Sequence, residues 1–576
     1  MLRRSLFALL LALSLPLAAD APPRELTPRG LENLIAFTRL YGVIRYFHPS
    51  DEAAAADWDA IAVNGAETVE GAADAQQLAA RLGDVFLPLA PTVRIAPAAA
   101  LEPAQLPRGV SIVAWEHHGQ GQGGRAPYTS ERVRRDAVRG SGPLPDPLQP
   151  LRLDLGGGVS ASVPLAVFGT PLGTLPQADR KPPAHPARTY TGNDRATRIG
   201  AVVIAWNALQ HFYPYFDVVD TDWPAELRTA LQSAATDRDE AAFLRTLRQM
   251  IAALDDGHGS VQHPTAAPRA TLPLLWRVFD EALVVVAADA GVSGVSVGDE
   301  VVAIDGKPAL QAVRDTEQLV SASTPESRRT FALRQVMLGA AGTAVTLTLR
   351  NPDGSTRTAT LARAVRTDPM REKRPDPVAE LKPGLWYVDL TRLKDEDVDG
   401  TLVRVSGARG IVLDVRGYPR IQTKLLQHLT GAVTESARWN VPVLRRPDRE
   451  GVEWDTPARW SLQPLQPRLT KNVVFLTDAR AISYAESLMG IVEAYELGPI
   501  VGETTAGTNG NVNMIALPGG YTIGYTGLKV LKHDGSRHHG VGIAPTVPVS
   551  PTLAAIRAGR DEQLEKALQI LEQPPM

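Results

Sequence analysis

The segment VVFLTDARAISYAESLMGIVEAYELGPIVGE, residues 473–503, contains the pattern that decides the fold of the carboxyl-terminal region. Its first residues are apolar and end in a polar turn, which is typical of a buried strand. The apolar residues that follow recur at helical spacing, and a second apolar strand closes the segment. A strand, a helix and a strand in this order predict an α/β unit with parallel strands.

Ser483 lies where the polar turn meets the predicted helix. A serine at this position can cap the helix by accepting a backbone N–H, which stabilises it by about 1 kcal/mol. It can also act as a nucleophile, because a strand–turn–helix corner exposes its hydroxyl and the next backbone N–H can bind a developing oxyanion. The spacing alone favours the cap and leaves both roles open.

The composition is that of a folded protein of several domains. The chain has 576 residues, of which 44% are hydrophobic and 21% charged. This length and balance allow several hydrophobic cores. The formal net charge of −3 argues against a general nucleic-acid binder, which needs a basic surface. The chain has no cysteine, which excludes disulfides, thiolate metal ligands and a cysteine nucleophile.

The first residues predict export. Arg3 and Arg4 precede a short apolar run, and Ala19-Asp20-Ala21 is a small-x-small cleavage site. This is the pattern of a secretory signal peptide, and the run is too short to span a bilayer. We therefore expect a periplasmic or secreted protein without an integral membrane span.

Two helical segments repeat each other at a distance of 165 residues. Without any gap, Pro49 aligns with Pro214 and Trp58 with Trp223, which indicates a duplicated helical unit. The second copy ends in LDDGH, whereas the first ends in LAPTV. Because the first copy lacks the histidine, we infer that His258 serves a purpose outside the unit; a simple turn residue is the alternative.

The remaining patterns divide the chain into six regions. The block VSVGDEVVAIDGKPA, residues 295–309, resembles part of a PDZ domain, which binds a peptide by adding it to a sheet edge. A Gly/Pro/Arg-rich stretch at 119–149 is expected to be a loop. The predicted regions are a signal peptide at 1–21, a helical unit at 22–96, a β-rich insertion at 97–190, a second helical unit at 191–265, a PDZ-like domain at 266–366 and an α/β core at 367–576.

Four motifs follow one another in the carboxyl-terminal region: IVLDVRGYP, ISYAES, GPIVGETTAG and GVGIAPTVPV. With the upstream DDGH they resemble the tail-specific, or C-terminal-processing, serine peptidases over residues 200–565. The helical unit and the PDZ-like insertion are similar to the tricorn-like branch of that family. The resemblance implies a multidomain α/β protein with a crotonase-like catalytic core that acts on peptides or unfolded proteins.

The resemblance also assigns roles to individual residues. Ser483 is the nucleophile of a Ser-x-x-Glu motif, and the backbone N–H groups of Tyr484 and Gly417 form the oxyanion hole. Thr508 stands where one branch has its lysine base. His258 stands where the other branch has its histidine, and a neutral imidazole can accept the serine proton near neutral pH.

The third catalytic residue departs from the family pattern. His539 occupies the position at which the tricorn-like branch has a glutamate that orients the base. His539 itself, another carboxylate (Asp534, Asp255 or Asp256) or a Ser–His dyad are the open alternatives. The adjacent pairs His117-His118 and His538-His539 do not form a zinc pattern, so we expect neither metal nor cofactor.

The sequence thus predicts an exported serine endopeptidase that uses Ser483 and His258 and engages its substrate through the PDZ-like domain. The missing glutamate keeps an alternative open, a catalytically weak or inactive ligand- or peptide-binding protein on the same scaffold. A third possibility is an interaction scaffold that acts through the PDZ-like domain alone.

Overall fold

The structure, a computed structural model, describes residues 20–98, 109–121, 128–136, 144–181, 188–264, 269–351, 353–366, 372–421, 423–456 and 459–573. Residues 1–19 of the predicted signal peptide lie outside the described residues. No helix in the described part of the chain is long and apolar enough to cross a membrane.

Helices build the two amino-terminal segments that repeat in sequence. The first contains α1 (Pro28–Phe47), α2 (Asp51–Ala54), α3 (Trp58–Glu70) and α4 (Ala75–Phe86), and the second contains α5 (Arg195–Phe212), α6 (Trp223–Thr236) and α7 (Glu240–Ala252). Aspartates begin equivalent helices: Asp57 accepts the N–H of Ala60, and Asp222 that of Ala225, both at 3.0 Å. Such caps satisfy N–H groups that a helix start leaves without partners.

The two segments pack into one hydrophobic core around α1 and α5. The Tyr41 hydroxyl donates to the Trp58 carbonyl at 3.0 Å, and the Trp206 indole donates to the Trp223 carbonyl at 2.9 Å. Helices α1 and α5 approach closely at Gly42, where a Cβ atom would lie 1.9 Å from a side-chain atom of Asn207. Only glycine allows this approach without displacement of Asn207.

Strands dominate the region between the helical segments and the region after them. The insertion contains β1 (Arg94–Pro97), β2 (Ser111–His118), β3 (Thr129–Asp136), β4 (Leu151–Gly156), β5 (Val159–Val163), β6 (Ala166–Thr170) and β7 (Gly173–Leu175). The stretch expected as a loop therefore contains a strand, because β3 pairs with β2 along its whole length. The side chains of β3 are mostly polar and do not show the apolar pattern of a buried strand, because an edge strand needs only backbone pairing.

A second β region follows α7. It contains β8 (Ser260–Gln262), β9 (Arg269–Thr271), β10 (Leu274–Phe279), β11 (Ala282–Ala288), β12 (Glu300–Ile304), β13 (Lys307–Pro308), α8 (Ala309–Glu317), α9 (Pro325–Met337), β14 (Leu338–Ala340), β15 (Ala344–Arg350) and β16 (Thr356–Ala362). Strands β10 to β13, β15 and β16 form one sheet with its own hydrophobic core, to which both helices contribute.

The carboxyl-terminal region is an α/β core. It contains β17 (Val378–Lys382), β18 (Leu385–Asp389), α10 (Val398–Val405), β19 (Gly410–Asp414), α11 (Lys424–Gln427), β20 (Thr434–Glu435), β21 (Trp439–Leu444), β22 (Glu453–Asp455), β23 (Ser461–Leu462), β24 (Val473–Thr477), α12 (Tyr484–Ala494), β25 (Ile500–Gly502), β26 (Val512–Leu517), β27 (Tyr521–Thr526), β28 (Lys529–Val530), β29 (Val547–Pro548), α13 (Leu553–Arg557) and α14 (Glu562–Glu572). The central sheet has the order β17-β18-β19-β24-β25-β29, in which only β17 is antiparallel. The prediction of a multidomain α/β protein is confirmed.

Two further sheets join the core to the rest of the chain. Strands β21 and β22 continue the sheet of β2, β6 and β7, and β8 pairs with β27. The carboxyl ends of β18, β19 and β24 meet at one edge of the central sheet because these strands are parallel. Ligands of open α/β sheets bind at that edge.

A buried ion pair joins α3 to α5 between the two helical segments. Two Arg195 nitrogens donate to the Glu70 carboxylate at 2.8 and 3.0 Å, and both side chains are buried. We expect Glu70→Leu to lower the free energy of unfolding by about 3–5 kcal/mol, because it leaves a buried guanidinium unpaired. Chemical denaturation measures this loss.

The matched control is Glu32→Leu, which removes the partner of Arg228 from an exposed pair. It should change the free energy of unfolding by less than about 1 kcal/mol. Equal losses for the two variants would contradict the assignment of the buried pair.

Candidate active site

Ser483 stands at a sharp corner between β24 and α12. Its φ of 59° and ψ of −110° are unusual for a residue other than glycine and cost roughly 1–3 kcal/mol. An ordinary helix cap has extended backbone, so Ser483 differs from a simple cap in its backbone angles. The Ser483 N–H donates to the Thr508 carbonyl at 2.9 Å, which fixes the corner against the following loop.

Glu486, the last residue of the Ser-x-x-Glu motif, holds that loop. Its buried carboxylate accepts the Thr505 hydroxyl at 2.5 Å and the N–H groups of Gly507 and Thr508 at 2.7 and 2.8 Å. The Ser483 N–H approaches the same carboxylate at 3.3 Å. The motif therefore joins the start of α12 to residues 505–508, and the position of Ser483 depends on this link.

His258 follows α7 in a tight turn that reaches the same loop. The Gly257 N–H donates to the Thr508 hydroxyl at 3.0 Å. A Cβ atom at Gly257 would lie 2.9 Å from the Ile482 side chain, so the turn lies directly against the residue before Ser483. The structure thus brings His258 to the Ser483 corner, with Thr508 in contact with both segments.

The His258 ring is oriented by a buried hydrogen-bond chain. Its Nδ1 lies 2.9 Å from the Thr526 hydroxyl, which lies 2.6 Å from the Asp256 carboxylate. A carboxylate accepts, so the hydroxyl proton of Thr526 goes to Asp256. The Thr526 oxygen must then accept from Nδ1–H. In the neutral ring this leaves Nε2 without a proton, as a general base requires.

Asp256 is fully buried and bound on several sides. It also accepts the Thr526 N–H at 2.6 Å and the His258 N–H at 3.0 Å. Burial lowers the pKa of His258 from its ordinary value, while the nearby Asp256 and Glu486 carboxylates oppose that shift. The ring is therefore neutral near pH 7.

The other candidates for the third residue lie elsewhere. His539 donates from Nε2 to the Asp255 carbonyl at 3.0 Å, and its ring stacks on Tyr215 at 4.1 Å. Asp534 is exposed in a turn, where it accepts the Ser536 N–H. Within the described part of the chain neither forms a hydrogen bond with His258. Of the carboxylates considered from sequence, Asp256 is the one that is linked to the His258 ring, through the Thr526 hydroxyl. No sequence motif predicted this role for Thr526.

The two expected oxyanion donors differ in their hydrogen bonds. Tyr484 is the first residue of α12, where helix geometry leaves the N–H without an internal partner. Gly417 follows β19, and the Tyr418 and Tyr484 rings lie 6.2 Å apart. The Gly417 N–H donates to the Val415 carbonyl at 2.8 Å, so it must leave this acceptor before it can bind an oxyanion.

A buried network of charges fixes the strand end that carries Gly417. Arg416 donates to Asp414 at 2.6 Å and to Asp561 at 2.8 Å, and Arg374 donates to the Arg416 carbonyl at 3.1 Å. Burial alone would raise the pKa of Asp414, but Arg416 and Arg374 hold it below its usual range. These residues act on the structure of the strand end, as their position in the sequence indicates.

Part of the fold is similar to that of solved structures. Mature CPAF covers 66% of this chain with 97% of its own, at 16% identity and a TM-score of 0.54. The structure of CPAF complexed with lactacystin covers 66% of this chain with 98% of its own, at 14% identity and a TM-score of 0.53. The photosystem II D1 C-terminal processing protease covers 65% of this chain with 97% of its own, at 19% identity and a TM-score of 0.39. No curated protein sequence matches the chain.

Two family models match the chain directly. The model "Bacteroidetes, Peptidase, S41 family, N-terminal domain" matches residues 275–356, which include most of the sheet formed by β10 to β13, β15 and β16. The model "Peptidase family S41" matches residues 385–549, which include Gly417, Ser483 and Thr526. The predicted family is confirmed: this chain contains a domain of the tail-specific, or S41, peptidase family.

Proposed function

We propose that this chain is a serine peptidase in which Ser483 is the nucleophile and His258 the general base. The observation that carries the proposal is the buried chain from His258 through Thr526 to Asp256, which lies beside the strained Ser483 corner. A base whose other nitrogen is held by an oriented acceptor is the arrangement that activates a serine hydroxyl.

The reaction proceeds in two steps. Ser483 Oγ attacks the scissile carbonyl carbon, and its proton passes to His258 Nε2. The charge that develops on the carbonyl oxygen is bound by the Tyr484 N–H, and by the Gly417 N–H once that group leaves Val415. His258 then protonates the leaving amine, and the carbon–nitrogen bond breaks. Water then attacks the acyl carbon and gives a proton to His258 Nε2. His258 returns a proton to Ser483 Oγ as the ester bond breaks and the acid product leaves.

Asp256 has the role that a glutamate has in the tricorn-like branch, which is to orient the base. During the reaction His258 becomes positively charged, and a buried carboxylate two hydrogen bonds away stabilises that charge. His539 does not need to do this, because its ring is bound to the Asp255 carbonyl. This supports a competent peptidase over the alternative of an inactive binding protein.

The PDZ-like region is proposed to engage the substrate peptide. It touches the catalytic turn directly, because the Asp256 N–H donates to the Ser321 hydroxyl at 3.0 Å and Arg328 pairs with Asp255 at 2.5 Å. A peptide bound at this region would therefore lie near the reaction centre. We also propose that the chain acts after export, on peptides or unfolded proteins outside the cytoplasm.

Ser483→Ala and His258→Ala are each expected to lower kcat by about 10⁴-fold or more, because the two groups act as a unit. Cleavage of an unfolded protein near pH 7, with products identified by mass spectrometry, measures this. Ser536→Ala and His118→Ala are the controls, since both side chains lie in other parts of the chain. Peptide binding without cleavage or covalent labelling of Ser483 by the wild type would favour the binding-protein alternative.

Thr526→Val keeps the shape of the side chain but removes the hydroxyl that accepts from His258 Nδ1. We expect kcat to fall by about 10²–10⁴-fold, because the ring loses its fixed tautomer and its link to Asp256. Thr526→Ser should restore most of the rate. Steady-state kinetics on one peptide substrate test both variants, and an unchanged kcat in Thr526→Val would remove Thr526 from the mechanism.

The pH dependence of kcat/KM follows from the neutral His258. The base works only when deprotonated, so activity is lost as the pH falls through the pKa of His258. Because burial places that pKa below 6.5, the acidic limb should have its midpoint below pH 6.5. Asp256→Asn removes a carboxylate that raises the pKa, so it should move the midpoint lower still. A limb centred above pH 6.5 would contradict this assignment.

A further inference from the structure

Four aromatic side chains form a continuous strip that begins at the candidate nucleophile. The Tyr418 and Tyr484 ring centroids are 6.2 Å apart, those of Tyr484 and Trp460 are 5.5 Å apart, and those of Trp460 and Trp439 are 5.0 Å apart. These are contact distances for aromatic pairs. We call Tyr418, Tyr484, Trp460 and Trp439 the aromatic strip.

The outer part of the strip is not required by the hydrophobic cores. Tyr418 is 54% exposed, and Trp460 is partly exposed. Neither side chain belongs to a hydrophobic core cluster of the described residues, whereas Tyr484 packs partly against the core of the central sheet. Contiguous exposed apolar surface is unfavourable in water and commonly marks a binding site.

Backbone contacts hold the strip in place. The Tyr484 hydroxyl donates to the Ile421 carbonyl at 2.9 Å, which joins α12 to the loop after β19. The Trp460 carbonyl accepts the N–H of Ser436, which follows β20, and the Trp460 N–H donates to the Ser436 hydroxyl, each at 3.1 Å. Tyr484 and Trp460 are therefore held in place before any ligand arrives, which lowers the entropic cost of binding.

The strip lies next to the scissile bond of a bound peptide. Ser483 immediately precedes Tyr484, and Gly417 immediately precedes Tyr418. If the N–H groups of Tyr484 and Gly417 bind the scissile carbonyl, rings carried by residues 484 and 418 can reach only the substrate side chains that flank this bond. Arg459, which precedes Trp460 in the chain, forms an ion pair with Glu435.

We propose that the aromatic strip is a substrate subsite that binds a bulky apolar side chain, aromatic or large aliphatic, within two residues of the scissile bond. The proposal rests on the proposed function for the identity of the bond that is cut. It adds a class of substrate, unfolded segments rich in large apolar residues. Such segments are exposed when a protein loses its hydrophobic core.

The first test is the cleavage pattern. Digestion of a peptide library by the wild type should give cut sites enriched in Phe, Tyr, Trp, Leu or Met within two residues of the cleaved bond. Tyr418→Ala and Trp460→Ala should each lower kcat/KM for a Phe-containing peptide by about ten-fold or more, with little change for its alanine counterpart. The control Trp454→Ala, an exposed tryptophan outside the strip, should keep the wild-type pattern.

The second test separates this proposal from the proposed function, because it needs no catalysis. In the Ser483→Ala chain, a dye-labelled Ala/Lys peptide with one central Phe should bind about ten-fold or more tightly than the same peptide with Ala, by fluorescence anisotropy. Trp460→Ala in that background should abolish the difference. Equal binding of the two peptides, or cleavage without apolar enrichment, would overturn the subsite. Absence of cleavage together with selective binding would overturn the peptidase and keep the subsite.

Discussion

The Asp256 carboxylate is the group on which the architecture of the site depends. It is fully buried and accepts from the Thr526 backbone, the Thr526 hydroxyl and the His258 backbone. An unpaired carboxylate at this depth would cost several kcal/mol, so the turn after α7 and the end of β27 are held together as long as both are folded. The Asp256 N–H also donates to the Ser321 hydroxyl, which links the β region after α7 to the same residue. Three regions of the chain thus meet at one residue.

Glu486 fixes the turn at Ser483, the proposed nucleophile, as Asp256 fixes the turn at His258, the proposed base. Both are buried carboxylates that accept several backbone and hydroxyl donors, and Thr508 lies between them. Thr508 receives the Gly257 N–H on its hydroxyl and the Ser483 N–H on its carbonyl, while its own N–H goes to Glu486. The separation of the His258 turn and the Ser483 corner is therefore set by hydrogen bonds through Thr508. Such preorganisation is what the proposed catalytic pair requires.

Much of the fold could be read from local pattern. The strand–turn–helix at residues 473–503, the helices that repeat with their aspartate caps and the positions of Ser483 and His258 all follow from periodicity and motif order. The partner of the His258 ring could not be predicted in this way. His539 stands at the family position, but its ring turns to the Asp255 carbonyl and to Tyr215, contacts that depend on a partner far away in the chain.

The sequence by itself determined the features that depend on neighbours along the chain: strand and helix periods, caps, the serine at a strand–helix corner and the histidine that one repeat has and the other lacks. Tertiary structure alone decided the partners. Thr526 meets Asp256 across 270 positions of the chain, and the strip from Tyr418 to Trp439 joins residues from four separate segments. The physical reason is that hydrogen-bond partners of buried polar groups and contacts of aromatic rings are chosen by packing in space, which no local spacing encodes.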